Sequence, residues 1–362
     1  MTKIAISAAE TSGDLIGSTL VQALKSQDPE LQIEGLCGTK MQQTGCDKRW
    51  DMSLVNVMGF TEVLKKLPSL LKLRTAIVRY FTDNRPDVFI GIDAPDFNFV
   101  IEKRLKDQGI KTIHFVSPSV WAWRQSRVTK IKKSTDLILC LFPFEVDFYK
   151  RHNQRAIFVG HPLAEKLTPR TKHTPGQEVL LMPGSRSSEV KRLLPELLLA
   201  AAIMSEKKPN LKFHLALAND DLLDWAQALV GSQSIDISVD QAHIKMQHAD
   251  IVLVASGTAA LELALVGVPM VVVYKLSAMS YFVASRLVKS QYISLPNVIA
   301  DKPLVPELIQ DNANADNIAT QALKILTSDQ TNLVAEFQKI HQQLCLNASE
   351  ETAKLIIEFI HE

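Results

Sequence analysis

The residues in this chain with the means to do chemistry sit in turns that follow short apolar runs. The run Gly91-Ile92-Asp93-Ala94-Pro95-Asp96-Phe97-Asn98 ends a wholly apolar stretch on a carboxylate. A carboxylate there is costly to desolvate unless it is used or paired, so Asp93 is the candidate reactive group. Asp96 reads differently. Helical periodicity begins directly after it, which predicts a helix N-cap.

Three more turns share the pattern of strand, small polar residues and helix. Ala9-Glu10-Thr11-Ser12-Gly13-Asp14 follows the run Lys3–Ala8, so backbone N–H groups and a helix dipole are offered to a ligand. Glu10 joins Asp93 as a catalytic candidate, and Ser12 and Gly13 are candidate substrate contacts. Thr11 or Ser12 acting only as a helix cap explains the same residues, and at this level both readings stand. In Pro183-Gly184-Ser185-Arg186, with Glu189 beyond, Arg186 offers a planar fork of donors that suits a diphosphate, and Ser185 adds a hydroxyl. An arginine at a helix start is unfavourable unless an anion sits there, which favours the catalytic reading of Arg186. In Ala255-Ser256-Gly257-Thr258-Ala259-Ala260-Leu261-Glu262 the small residues let a nucleotide diphosphate approach the backbone, and Glu262 can accept ribose hydroxyls. A plain N-cap with a Glu in the first turns is the alternative.

These turns need rigid elements to position them. Val/Ile/Leu-rich runs alternate with segments of helical period along the chain, the mark of βαβ units around parallel sheets. In the first half, strands are expected at Lys3–Ala8, Gln32–Cys37, Asp87–Asp93, Lys111–Ser117, Asp136–Leu141 and Ala156–Gly160. In the second they are expected at Glu178–Met182, Leu211–Ala216, Asp250–Ala255 and Met270–Tyr274. Pro162–Gln177 has no periodicity and marks the boundary between residues 1–165 and 166–329. After about Asp311 only helical segments follow, and those from about 330 to 362 are expected to return to the first domain.

A length of 362 residues implies two domains. With 46% hydrophobic and 22% charged residues the chain is an ordinary globular protein. A net charge of +1 gives no global pull toward nucleic acid, and none is expected as a partner. The four cysteines make no CxxC pair and suit a reducing, cytoplasmic compartment. The apolar start is cut by Glu10 and Asp14, so it reads as a strand rather than a signal peptide. The longest apolar run, Leu263 to Tyr274, is too short and too broken by Gly267 and Pro269 to span a bilayer.

Taken in order, AETSGD, GIDAPDFN, VSPSVWAWR at Val116–Arg124, PGSR with its Glu, ASGTAALE and SLPN at Ser294–Asn297 resemble the lipid-A-disaccharide synthase family, from about Ile4 to Ala348. The resemblance implies an α/β fold of the GT-B type, in which two Rossmann-like doubly wound domains face a cleft and the C-terminal helices cross back. It implies an inverting transfer from a UDP-2,3-diacylglucosamine donor to a 2,3-diacylglucosamine 1-phosphate acceptor, giving a β-1,6-linked disaccharide and UDP. Asp93 would then take the proton of the acceptor 6-hydroxyl. Arg186, Ser256, Gly257 and Thr258 would stabilise charge on the departing UDP, and Gln291 and Asn297 would line the same cleft. No two aspartates stand at i and i+2, so the Asp-x-Asp metal motif of many transferases is missing, and neither a metal nor a cofactor is expected. Ala9 stands where the family often has Gly, which stiffens the turn. Trp121 and Trp123 fit either an acyl chain or a core.

Acylated substrates place the enzyme at a membrane, here the inner face of a Gram-negative inner membrane, as a peripheral protein. Within Met58–Arg79, Val63, Leu64, Leu67, Leu70 and Leu71 recur at helical spacing among Lys65, Lys66, Lys72, Arg74 and Arg79, broken at Pro68. Spacing alone suits a packing helix of the first domain, but lipid substrates favour a basic helix on an anionic surface. A UDP-sugar 2-epimerase of the same two-domain plan is the alternative activity. Monomer and homodimer are both left open.

Overall fold

A computed structural model describes residues 1–55, 60–123, 125–170, 176–288 and 290–362, and it describes residues 60–66 by backbone alone. The chain divides into two compact units, residues 1–165 with 344–362, and residues 166–343. The first holds β1 (Lys3–Ala8), α1 (Thr11–Gln27), β2 (Gln32–Cys37), α2 (Thr39–Gln43), β3 (Asp47–Asp51), α3 (Phe60–Asp83), β4 (Val88–Ile92) and α4 (Pro95–Lys106). Next come β5 (Lys111–Phe115), α5 (Val128–Ser134), β6 (Leu137–Cys140), α6 (Pro143–Arg151), β7 (Ala156–Phe158) and α7 (Pro162–Lys166). The second begins with β8 (Glu178–Met182), α8 (Ser187–Lys207), β9 (Lys212–Leu217), α9 (Leu223–Val230), β10 (Ile235–Val239), α10 (Ala242–His248), β11 (Ile251–Ala255) and α11 (Thr258–Val266). It continues with β12 (Met270–Tyr274), α12 (Ala278–Leu287), α13 (Leu295–Ala300), β13 (Glu307–Ile309), α14 (Ala315–Thr327) and α15 (Thr331–Leu344). The last helix, α16 (Ala348–His361), belongs to the first unit.

Both sheets are parallel, as near-continuous apolar strands such as Val-Phe-Ile-Gly-Ile of β4 require, because both faces must be covered by helices. Their orders are β3-β2-β1-β4-β5-β6-β7 and β10-β9-β8-β11-β12-β13. Each order reverses once, between β1 and β4 and between β8 and β11. In an open α/β sheet that reversal opens a crevice beyond the strand ends, where ligands bind. Three strands absent from the sequence reading, β3, β10 and β13, all lie at sheet edges, where fewer neighbours cover them and apolar runs are not demanded.

Helix α16 lays Ala353, Ile356 and Phe359 into the core that also contains Leu20 and Leu24 of α1. It is tied down where Lys111 Nζ donates to Phe359 O and Ile360 O at 2.9 Å each. The returning segment is shorter than expected. Helix α15 stays with the second unit, where His341 meets Leu265 O at 3.0 Å and Gln338 donates to Arg170 O at 3.2 Å.

Helix α3 runs through Pro68 rather than breaking there. The expectation for Asp96 also needs correction. The N-cap of α4 is Ala94, Pro95 takes the first helical position, and Asp96 lies exposed in the first turn beside Arg127. Proline favours that first position because its missing N–H costs nothing there, and this draws the helix start one residue ahead of Asp96.

Candidate functional site

In the first unit the turns leaving β1 and β4 meet at the strand-order reversal. Ser12 Oγ donates to Asp93 Oδ2 at 3.1 Å, and the Ala94 N–H donates to Asp93 Oδ1 at 2.9 Å, so both carboxylate oxygens are oriented. Asp93 and Ala94 have φ of 51° and 43°, a left-handed pair that costs on the order of 1–3 kcal/mol per residue unless its surroundings hold it. Buried Asn98 supplies the hold. Its amide donates to Ser7 O (3.2 Å), Ile92 O (3.1 Å) and Asp93 O (2.9 Å), and its carbonyl accepts from Ser7 Oγ at 2.7 Å. Sequence reading passed over Asn98, although it closes the GIDAPDFN run.

Glu10 occupies the N-cap position of α1 without a side-chain cap bond. Partial burial, then the negative charge of Asp93, raise its pKa above the ordinary carboxylate value. A carboxyl of raised pKa beside the oriented Asp93 carboxylate is an arrangement fit for moving protons. Gly13 is buried, and a methyl added there would sit 3.4 Å from Ile92 O, so the turn packs tightly on the end of β4. Asp14, also missed, accepts from the N–H groups of Gly38, Lys40 and Met41 at 2.9, 3.0 and 3.2 Å and so caps α2. Trp121 is partly buried and packs edge-on against Phe144 at 4.7 Å, whereas Trp123 is 39% exposed.

The expected membrane face is reduced. The Val63 and Leu64 side chains lie outside the described residues. Leu67 and Leu71 are exposed, but Leu70 is buried with Ile77, Val78, Phe81 and Phe97. Leu70 is therefore a core residue, because Leu70, Ile77, Val78 and Phe81 share the helix face turned to the sheet. Arg74 is likewise turned inward, 5.1 Å over the Phe97 ring and donating to Asp96 O at 2.7 Å.

The second unit holds a cavity of about 330 Å³ at its own strand-order reversal, lined by Gly184, Ser185, Glu189, Ser256, Gly257, Thr258, Glu262 and His243 among others. Gly257 is the N-cap of α11 and makes no side-chain cap bond. A methyl added to it would meet nothing within 4 Å, so the first turn faces open space with its positive dipole end. Ser256 Oγ donates to Ile293 O at 3.1 Å. Glu262 Oε2 lies 3.2 Å from His243 Nδ1, and burial raises its pKa against the opposing charge of His243. The helix turn, a hydroxyl pair and a carboxylate together suit a phosphorylated sugar-bearing ligand.

Three expected contacts are not in that lining. Arg186 is exposed at the N-cap position of α8, and Gln291 is exposed. Asn297 is buried, with its amide donating to Val305 O and Glu307 Oε1 at 2.9 Å each and its carbonyl accepting from Val305 N at 2.9 Å. Its hydrogen-bonding groups are taken up within the fold, so Asn297 holds the chain here instead of offering the expected substrate contact. The partner, Glu307, also accepts from the N–H groups of Ile293 and Ser294 at 3.0 and 2.9 Å and so shapes the loop that reaches Ser256. Glu307 lies on an edge strand without an apolar run, which left no signal in the sequence.

A family model described as lipid-A-disaccharide synthetase matches residues 4–359. The chain belongs to that family. It is 41% identical to the lipid-A-disaccharide synthase of Photobacterium profundum over 99% of this chain and 98% of that protein. Identity to the synthase of Pseudoalteromonas translucida is 43%, over 99% and 97%. Lipid-A-disaccharide synthases are glycosyltransferases, and the chain has that role in lipid A synthesis. Among solved structures the fold is similar to the S. aureus MnaA–UDP co-structure, with TM-score 0.68 and 13% identity over 100% of this chain and 97% of that one. A glycotransferase of kitacinnamycin gives TM-score 0.63 and 14% identity, covering 98% of each chain. Such likeness, shared by a Neisseria meningitidis UDP-GlcNAc 2-epimerase at TM-score 0.66, speaks to the GT-B fold and not to the reaction. Among the described residues no group of three or more His, Cys, Asp or Glu is placed to hold a metal ion, and no helix is long and apolar enough to cross a membrane.

Proposed function

We propose that this member of the lipid-A-disaccharide synthetase family transfers 2,3-diacylglucosamine from its UDP donor to 2,3-diacylglucosamine 1-phosphate. The products are a β-1,6-linked disaccharide 1-phosphate, with inversion at the anomeric carbon, and UDP. Asp93 takes the proton of the acceptor 6-hydroxyl as its oxygen attacks the anomeric carbon, while the bond to UDP breaks. Ser12 and the Ala94 N–H hold the carboxylate in the plane that this transfer needs. Glu10, with its raised pKa, is the neighbouring proton carrier. The α11 N-terminus, Ser256, Gly257 and Thr258 receive the diphosphate charge, with Ser185 and the exposed Arg186 as mobile donors and Glu262 on the ribose. These groups serve without a metal or cofactor. The reaction takes place on an anionic membrane face, where Leu67 and Leu71 of α3 contact lipid, at the inner side of a Gram-negative inner membrane.

The observation that carries this reading is the doubly oriented Asp93 carboxylate at the strand-order reversal of a chain in this family. The test is UDP release by the purified chain with diacylated donor, with and without the acylated acceptor, in a chelator. Release that needs the acceptor and survives chelation supports the reading. Release without acceptor, or epimerisation of UDP-N-acetylglucosamine, would overturn it.

A further inference from the structure

Helix α12 of the second unit is exposed along its whole length, with no buried residue. Met279 is 81% exposed, Phe282 60%, Val283 51% and Leu287 39%. These positions recur at i, i+3, i+4 and i+8, so they form an apolar stripe edged by Ser280, with Ser285 and the 39% exposed Tyr281 on the remaining surface. The helix is firmly started, because Ser277 Oγ accepts from the Ser280 N–H at 3.2 Å. Arg286 lies on the stripe itself, its guanidinium 3.4 Å from the centre of the Phe282 ring and its N–H donating to Phe282 O at 2.7 Å. Among the described residues no carboxylate pairs with it. The sequence from 275 to 300 contains Lys275, Arg286 and Lys289 and no acidic residue.

From this stripe we infer that α12 is a second bilayer-contacting element, entering the interface of an anionic membrane with Met279, Phe282, Val283 and Leu287 among the acyl chains and Arg286 at the phosphate level. Lys275 is engaged by Glu196 at 2.8 Å, which leaves Arg286 as the cation on the helix itself, and an apolar stripe bearing a basic residue and no acid suits an anionic interface. Charge decides against a second copy of the chain, since a twofold contact through this stripe would set Arg286 beside its own equivalent. Size points the same way. Ten residues of helix span about 15 Å, too little to cover the roughly 800 Å² per partner of a standard interface. The inference extends the membrane reading of the proposed function from α3 to the other unit, and it rests on that reading for its purpose.

The experiment is co-sedimentation of the full chain with vesicles of phosphatidylcholine alone or with phosphatidylglycerol, beside UDP release from detergent-dispersed substrates. The triple variant Met279→Ser, Phe282→Ser, Val283→Ser is expected to bind phosphatidylglycerol vesicles at least about tenfold more weakly. Arg286→Gln is expected to lessen the preference for phosphatidylglycerol. Unchanged partition of the triple variant overturns the inference, as does unchanged partition with loss of a dimer, which would mark α12 as a self-contact. Should the triple variant not fold, Phe282→Trp with brominated lipid replaces it. Quenching of the added fluorescence is expected, and its absence overturns the inference. Wild-type binding that depends on α12 without acceptor-dependent UDP release would sink only the reaction, whereas transfer without α12-dependent binding would sink only this inference.

Discussion

At the scale of single residues, Asp93 is set by two hydrogen bonds and a left-handed backbone pair. Replacing Asp93 with Asn keeps the shape and removes the proton acceptor. Turnover is expected to fall by roughly 10²–10⁴-fold with donor affinity unchanged, as read by UDP release and by UDP-donor titration. A second carboxyl makes a different prediction. Glu145 of α6 is buried, and burial pushes its pKa up from 4.5 to about 8 against hydrogen bonds from the Phe142 N–H and from Ser117. A raised carboxyl stabilises the fold most below its unfolded pKa. The contribution of Glu145 is therefore whole below about pH 4.5 and is lost as pH rises through about 8. Chemical denaturation across that window should show wild-type stability declining and Glu145→Gln, neutral throughout, removing that part of the slope.

At the scale of elements, capping and facing decide the outcome. Asp14 of α1 accepts from three backbone N–H groups at the start of α2. Its change to Ala leaves those donors unpaired beside buried Met41, and a loss of about 2–4 kcal/mol in denaturant unfolding is expected. Helix α3 separates two roles that residue type cannot. Leu70→Ser should lower stability by about 2 kcal/mol or more, since the side chain leaves a packed core. Leu67→Ser with Leu71→Ser should leave stability within about 0.5 kcal/mol and weaken vesicle binding. Equal effects of the two on melting would overturn the assignment of faces.

At the scale of the whole molecule, α16 is a long-range component of the first unit. Its Ile356 and Phe359 close over Leu20 and Leu24 of α1, more than three hundred residues earlier in the chain. Truncation after residue 346 strips that cover. Calorimetry should then show one transition lowered or lost while the transition of residues 166–343 persists, and a uniform shift of both would contradict two separately cored units.

Much of this was legible in the sequence because inner parallel strands must be apolar on both faces. The run Val88–Ile92 and the run Met270–Tyr274 therefore announced themselves, and the turns at Asp93 and Gly257 followed from where those runs stop. Edge strands β3, β10 and β13 are covered on fewer sides, so the composition of Asp-Lys-Arg-Trp-Asp gave no strand signal. Residue order and type by themselves determined the family, the two doubly wound units and the turns that carry the polar groups. Only tertiary structure decided which polar groups remain available. It committed Asn297 to Val305 and Glu307, turned Leu70 inward while leaving Leu71 out, and bared α12. Burial and hydrogen-bond satisfaction depend on neighbours distant along the chain, and local sequence periodicity carries no record of them.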